Sequence, residues 1–153
     1  MSLPDDEIKK RISNVMDILI NNGVIYYGTG GALGFDTLAA QVVIEKRKQY
    51  PQIKLILVLP CQDQTVNWDV KDIETYYNIM QQANKTVFTS KKYHPGCMFK
   101  RNRHLVDNSS YCIAYLEKET GGTAYTVNYA KDHHLTIFNL ADNLNNPIKE
   151  QDS

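Results

Sequence analysis

The residues best suited to chemistry are glycines, hydroxyls and two arginines, and they recur just after apolar runs. Gly30, Gly31, Ala32 and Gly34 lie between the run 24–27 and an apolar helical pattern, with Asp36 close behind. Glycine admits positive φ and lets a ligand approach the backbone. The first-turn N–H groups of a helix have no partner inside the helix, and with its dipole they favour an anion. Gly121, Gly122 and Thr123, preceded by Thr120, repeat the arrangement later in the chain and add a hydroxyl able to reach a phosphate oxygen. Arg101-Asn102-Arg103 supplies guanidinium forks, which suit bidentate contacts to phosphate or carboxylate. Neighbouring helix residues point about 100° apart, so the two arginines do not face a ligand equally and one needs a structural partner.

Every one of these residues has a plainer reading. The glycines serve as packing turns in many folds, and Asp36 is either a favourable first-turn carboxylate or an acceptor for a sugar hydroxyl. Trp68, the single tryptophan, either anchors the helix after it or stacks on a base. His94, Cys97 and His104 lack the second ligand pair of a zinc site, so no metal is expected. No Walker-type GxxxxGK[ST] occurs and no nucleophile–base arrangement is identifiable from spacing, so no catalytic residue is assigned.

The elements that must position these groups alternate. Strand-like runs at 24–27, 53–59, 86–89, 111–116 and 135–140 are separated by helical patterns at 35–49, 69–82, 98–107 and 122–131. An amphipathic helix opens the chain, started by Pro4-Asp5-Asp6-Glu7 and closed by Asn21-Asn22-Gly23. Such alternation implies right-handed crossovers and a parallel sheet covered on both faces, with ligands outside the carboxyl ends of the strands. The loops 28–36, 60–68, 90–103 and 117–123 then share one rim. The expected ligand is a small molecule with phosphate, or phosphate and sugar, lying between the two glycine turns.

One domain is expected over residues 4–141, followed by a polar tail at 142–153. Lys plus Arg and Asp plus Glu each number 17, which counts against a dedicated nucleic-acid binder. No apolar run nears the roughly 18 residues that span a bilayer, so no membrane partner is expected. Three cysteines without a CxxC pair, and no basic-then-apolar leader, suggest a reduced, cytoplasmic setting. A homo-oligomer stays open.

Taken together, Gly-Gly-Ala-Leu-Gly-Phe-Asp-Thr-Leu-Ala-Ala (30–40), Leu-Val-Leu-Pro-Cys (57–61), Trp68, Gly96-Cys97-Met98, Arg101-Asn102-Arg103, Val106-Asp107 and Gly121-Gly122-Thr123 resemble the YpsA-like family of the SLOG superfamily, from about Asp5 to Leu140. The resemblance implies an α/β fold, Rossmann-like and doubly wound, with a mainly parallel sheet and helices on both faces. It also implies a pocket for a nucleotide or nucleotide-derived molecule. Two relatives of the family supply the alternatives, DprA-type single-strand DNA binders and LOG-type nucleoside-monophosphate phosphoribohydrolases. On the LOG motif Gly-Gly-x-Gly-Thr-x-x-Glu, this chain has Ala124 for the third glycine, Tyr125 for the threonine and Asn128 for the catalytic glutamate. An amide cannot do a carboxylate's acid–base work, so hydrolysis would need Asp36, Glu117 or Glu119. YpsA-like proteins also begin with a strand ending in a Thr-Gly-His-Arg-like segment, which is absent ahead of the first helix here. The expectation is a trimmed or shortened chain, with unpaired ladder groups where that strand would lie.

Overall fold

The structure is a computed structural model and describes residues 1–142. The polar tail, from residue 143 onward, lies outside the described residues. Helix α1 (Asp5–Asn21) carries Asp5, Asp6 and Glu7 in its first turn, where the dipole favours them. Its residues Ile8, Ile12, Val15, Met16 and Leu19 fall on one buried face, as spacings of three and four dictate. Then follow β1 (Tyr26–Thr29), α2 (Phe35–Gln49), β2 (Lys54–Leu59), α3 (Val70–Gln82), β3 (Lys85–Phe88), α4 (Cys97–Asp107), β4 (Tyr111–Ala114), α5 (Gly122–Asp132) and β5 (Thr136–Asn139).

The fold is α/β with parallel strands, Rossmann-like as expected. Gly28 stands opposite Ile56 and Leu57 opposite Thr86 in one parallel sheet, β1-β2-β3. Ile113 stands opposite Phe138 in a second, β4-β5. Helix α1 packs on α2, and α4 on α5. Right-handed crossovers running in opposite directions place these two pairs on opposite faces. The apolar interior divides in the same way. A large cluster joins α1 and α2 to β1 and β2, and a smaller one gathers Val106, Ala114, Val127, Ala130, Leu135 and Ile137. Among the described residues, β1 and β4 each lack a ladder partner on their second edge. The described strands thus form two parallel sheets, not one continuous sheet.

Strand β1 starts two residues later than the run 24–27 and takes in Gly28 and Thr29, which read in sequence as the beginning of the glycine turn. The reason is packing. A Cβ on Gly28 would stand 3.0 Å from Cδ2 of Leu105, so its bareness lets α4 sit against the strand. Val24 instead closes the turn after α1, its N–H donating to the carbonyl of Leu19 at 3.0 Å.

Candidate functional site

The turn after β1 is shaped by three glycines with three different reasons. Gly31 has φ 72°, and a Cβ there would lie 2.3 Å from Cδ2 of the buried Leu59. Gly34 has φ 86° and stands as the N-cap of α2 without any side-chain cap. Gly30 is bare for a chemical reason. A Cβ on it would meet Nη1 of Arg101 at 2.4 Å and Oδ2 of Asp36 at 2.8 Å, so a cation and an anion flank this residue. Oδ2 of Asp36 accepts the Ala32 N–H at 3.1 Å, and the Thr37 hydroxyl donates to the Ala32 carbonyl at 3.1 Å. The carboxylate thus ties the turn back to the first residues of α2 without capping the helix.

Arg101 reaches this turn from α4. It is only 4% exposed and donates through Nη1 to the Gly30 carbonyl oxygen and through Nε to Oδ1 of Asn102, the latter at 2.7 Å. Its Nη2 has only the Met98 sulfur, 3.9 Å away, a weak acceptor. Among the described residues the ion pairs are Arg11–Glu7, Lys46–Asp17 and Lys48–Glu45, so Arg101 has no carboxylate within ion-pair distance. Burial pushes its pKa down and the nearby Asp36 charge opposes that shift.

From Arg101 a relay of amides and hydroxyls runs to the second glycine turn. Nδ2 of Asn102 donates to the Thr126 hydroxyl at 2.9 Å, and that hydroxyl donates to the Gly122 carbonyl at 3.1 Å. Gly121, with φ 104°, is the N-cap of α5, again with no side-chain cap. A Cβ on Gly121 or Gly122 would meet nothing within 4 Å, so the space ahead of α5 is open.

One cavity of about 630 Å³ runs along the whole length of β1 and β4 and takes in part of this set of groups. Of the residues expected from sequence, Ala32, Asp36, Arg101, Asn102, Gly122 and Thr123 line it. Gly30, Gly31, Gly34 and Gly121 do not line it and sit within the two turns. Arg103 and Trp68 lie elsewhere. Arg103 donates to the Tyr125 hydroxyl at 3.2 Å on the exposed seam between α4 and α5. Trp68 stands edge-on to Tyr76, ring centroids 5.4 Å apart, and packs against the large core cluster. Asn128 is exposed and does not line the cavity. Glu117, at the same rim, is held below the usual carboxylate range by the Ser2 hydroxyl.

Three contributors escaped the sequence reading. Thr126 carries the relay, and its signal was a position one helical turn after Gly122. Thr29 donates through its hydroxyl to the Asp36 carbonyl at 3.3 Å. Gln64, in the polar loop after β2, donates to the Gly31 carbonyl at 2.9 Å while its buried Oε1 has no partner. Nothing in the spacing marks Gln64, because its role depends on the loop folding back onto a turn 33 positions earlier.

Comparison with known proteins bears on the whole chain. Residues 6–146 match the family model described as the YspA SLOG family. A UPF0398 protein of Bacillus cereus is 30% identical over 152 residues, spanning 94% of this chain and 83% of that protein. A UPF0398 protein of Bacillus thuringiensis strain Al Hakam is 29% identical over the same shares. Among the described residues no helix is long and apolar enough to cross a membrane.

Proposed function

Because the chain belongs to the YspA SLOG family, we propose that it is a binding domain for a small anionic molecule, nucleotide-derived or a phosphosugar, held at the rim between the two glycine turns. The carrying observation is Arg101, a buried guanidinium without a carboxylate partner, on a cavity that also receives two uncapped helix starts. Three sources of positive potential face one space, and Asp36 offsets only part of it. A phosphate at α5 would take the first-turn N–H groups, and Nη2 of Arg101 has a donor to spare. Asp36 is placed to accept from a sugar hydroxyl. The ligand is bound rather than cleaved in this reading, because Asn128 stands where LOG-type hydrolases carry their catalytic carboxylate.

Thermal unfolding with adenosine monophosphate, ribose 5-phosphate and inorganic phosphate tests this. A ligand that binds only the native state raises the midpoint as RT ln(1 + [L]/Kd). Gly122→Val fills open space and should abolish the shift while leaving the unliganded midpoint nearly unchanged. A shift that survives both Gly122→Val and Arg101→Lys would place the ligand elsewhere.

A further inference from the structure

The loop that joins β3 to α4 carries a connected row of polar side chains outside the cavity. Ser90, His94 and Lys100 do not line that cavity. Oγ of Ser90 lies 2.9 Å from Nε2 of His94, and Nδ1 of His94 lies 3.0 Å from the Pro95 carbonyl oxygen. Nζ of Lys100 donates to Oγ of Ser90 at 3.3 Å.

Hydrogen-bond chemistry fixes the direction of each contact. A carbonyl oxygen only accepts, so Nδ1 carries a ring proton. In the neutral ring Nε2 is then the acceptor, and the Ser90 hydroxyl donates to it. An ammonium only donates, so Lys100 takes a lone pair of the same hydroxyl. A hydroxyl aimed at an imidazole lone pair, on a ring oriented from behind, is how a serine is activated as a nucleophile. A backbone carbonyl does the orienting in this loop, where a triad uses a carboxylate.

The surroundings hold the pair in place. The Thr89 N–H donates to the Leu59 carbonyl at 2.9 Å, and the Gln62 N–H to the Lys91 carbonyl at 3.1 Å. The Tyr93 N–H donates to Oδ1 of Asp63 at 2.9 Å, and the N–H of buried Cys97 to the His94 carbonyl at 3.1 Å. A nucleophile and base positioned in advance remove orientational entropy from the barrier. The site is also reachable. Ser90 is half-buried, His94 and Lys100 are exposed, and a Cβ on Gly96 would meet nothing within 4 Å. Residues 90–100 include Lys91, Lys92 and Lys100 and no carboxylate, so the local charge favours an anionic substrate.

We propose that Ser90 is a nucleophile with His94 as its general base, in a surface site that hydrolyses small anionic carboxylic esters. Oγ of Ser90 adds to the ester carbonyl carbon as its proton passes to Nε2 of His94. The bond to the leaving oxygen then breaks, and that oxygen takes the proton from Nε2. Water, deprotonated by the same nitrogen, adds to the acyl-serine, and the serine oxygen leaves with that proton, giving acid and alcohol. Lys100 stands by the reacting oxygens to stabilise the charge that develops there.

The test treats the purified protein with a biotinylated fluorophosphonate and locates the label by digestion and mass spectrometry. In parallel, 4-acetoxybenzoate is compared with its neutral methyl ester. Expected is label on Ser90, with labelling of His94→Gln slower by about 100-fold or more, the size of a general-base contribution. The anionic ester should be turned over several-fold faster than the neutral one at low salt, with the preference fading at high salt and in Lys100→Met, and Ser90→Ala should fall to the buffer rate. No label, label on another residue, or parent-rate labelling of His94→Gln overturns the proposal. So does ester turnover that survives Ser90→Ala, which would mean that lysines take the acyl group, or label at Ser90 without ester turnover. Equal turnover of the two esters overturns the substrate class. Label mapping on the parent protein needs no variant, so a variant that fails to fold leaves it intact. Neither readout involves the cavity, so this idea and the binding reading fail separately.

Discussion

The guanidinium of Arg101 donates through Nη1 to the carbonyl oxygen of Gly30, 71 positions earlier, and so ties helix α4 to the turn that closes β1. Desolvating a cation costs several kcal/mol when no counter-charge is near. The Gly30 carbonyl, the Asn102 amide oxygen and the nearby Asp36 charge meet part of that cost. An anionic guest would complete the pairing, which makes this bond the hinge between fold and function.

Arg101→Lys keeps the charge but loses the fork, and Arg101→Met loses both. Charged hydrogen bonds contribute about 1.5–3 kcal/mol, so adenosine monophosphate should bind roughly 10- to 100-fold more weakly to Arg101→Met, with Arg101→Lys between it and the parent. Isothermal titration gives both values directly. Equal affinity in all three proteins would remove Arg101 from the site.

The glycines should separate by cause. Gly30→Ala drives a methyl into Arg101 and Asp36, and Gly31→Ala meets Leu59 at a positive φ. Overpacking and backbone strain each cost about 1–3 kcal/mol, so both variants should unfold at lower urea concentration. Gly122→Ala, entering open space at a helix start, should stay within about 0.5 kcal/mol of the parent.

Trp68 distinguishes packing from stacking. Its edge-on contact with Tyr76 and its place against the core make it an anchor for α3. Trp68→Ala should cost about 2 kcal/mol or more in urea unfolding, toward the lower end for a half-buried aromatic. Ligand affinity should be unchanged. Loss of affinity without loss of stability would restore the base-stacking reading.

Stability should fall at alkaline pH. Burial pushes the thiols of Cys61 and Cys112 up to about 11 and the hydroxyls of Tyr27 and Tyr76 up to about 12. The unfolded chain releases these protons at lower pH, so between about pH 9 and 12 the native state binds more of them and the unfolding free energy declines. The contribution is fully present at neutral pH and is lost as pH rises through the folded values. Denaturation midpoints at pH 8 and pH 10.5 check the sign. A flat profile would mean these groups are hydrated in solution.

Much of this was legible in the chain. The alternation of apolar runs and helical spacings placed every element to within two residues, β4 ending at Ala114 two short of its apolar run. Gly28 misled, because a glycine needed for the approach of Leu105 looks the same in sequence as one needed for a turn. The pair of glycine turns marked the rim, since helix starts after strands have only one end of a parallel sheet to occupy. The division of labour between Arg101 and Arg103 was stated without deciding which faces inward. That depends on the rotation of α4 against β1, which the spacing does not encode. Gln64 and Thr126 act through contacts across the chain and left almost no local trace.

The most direct test of the rim is an amide titration by nuclear magnetic resonance with adenosine monophosphate, following backbone signals and the Arg101 side-chain Nε. Expected are saturable shifts at both glycine turns together, residues 30–36 and 121–124, with the Arg101 Nε signal moving on the same binding curve. Shifts confined to one turn, or centred on the exposed seam at Arg103 and Tyr125, would contradict a single anionic guest held between two helix starts.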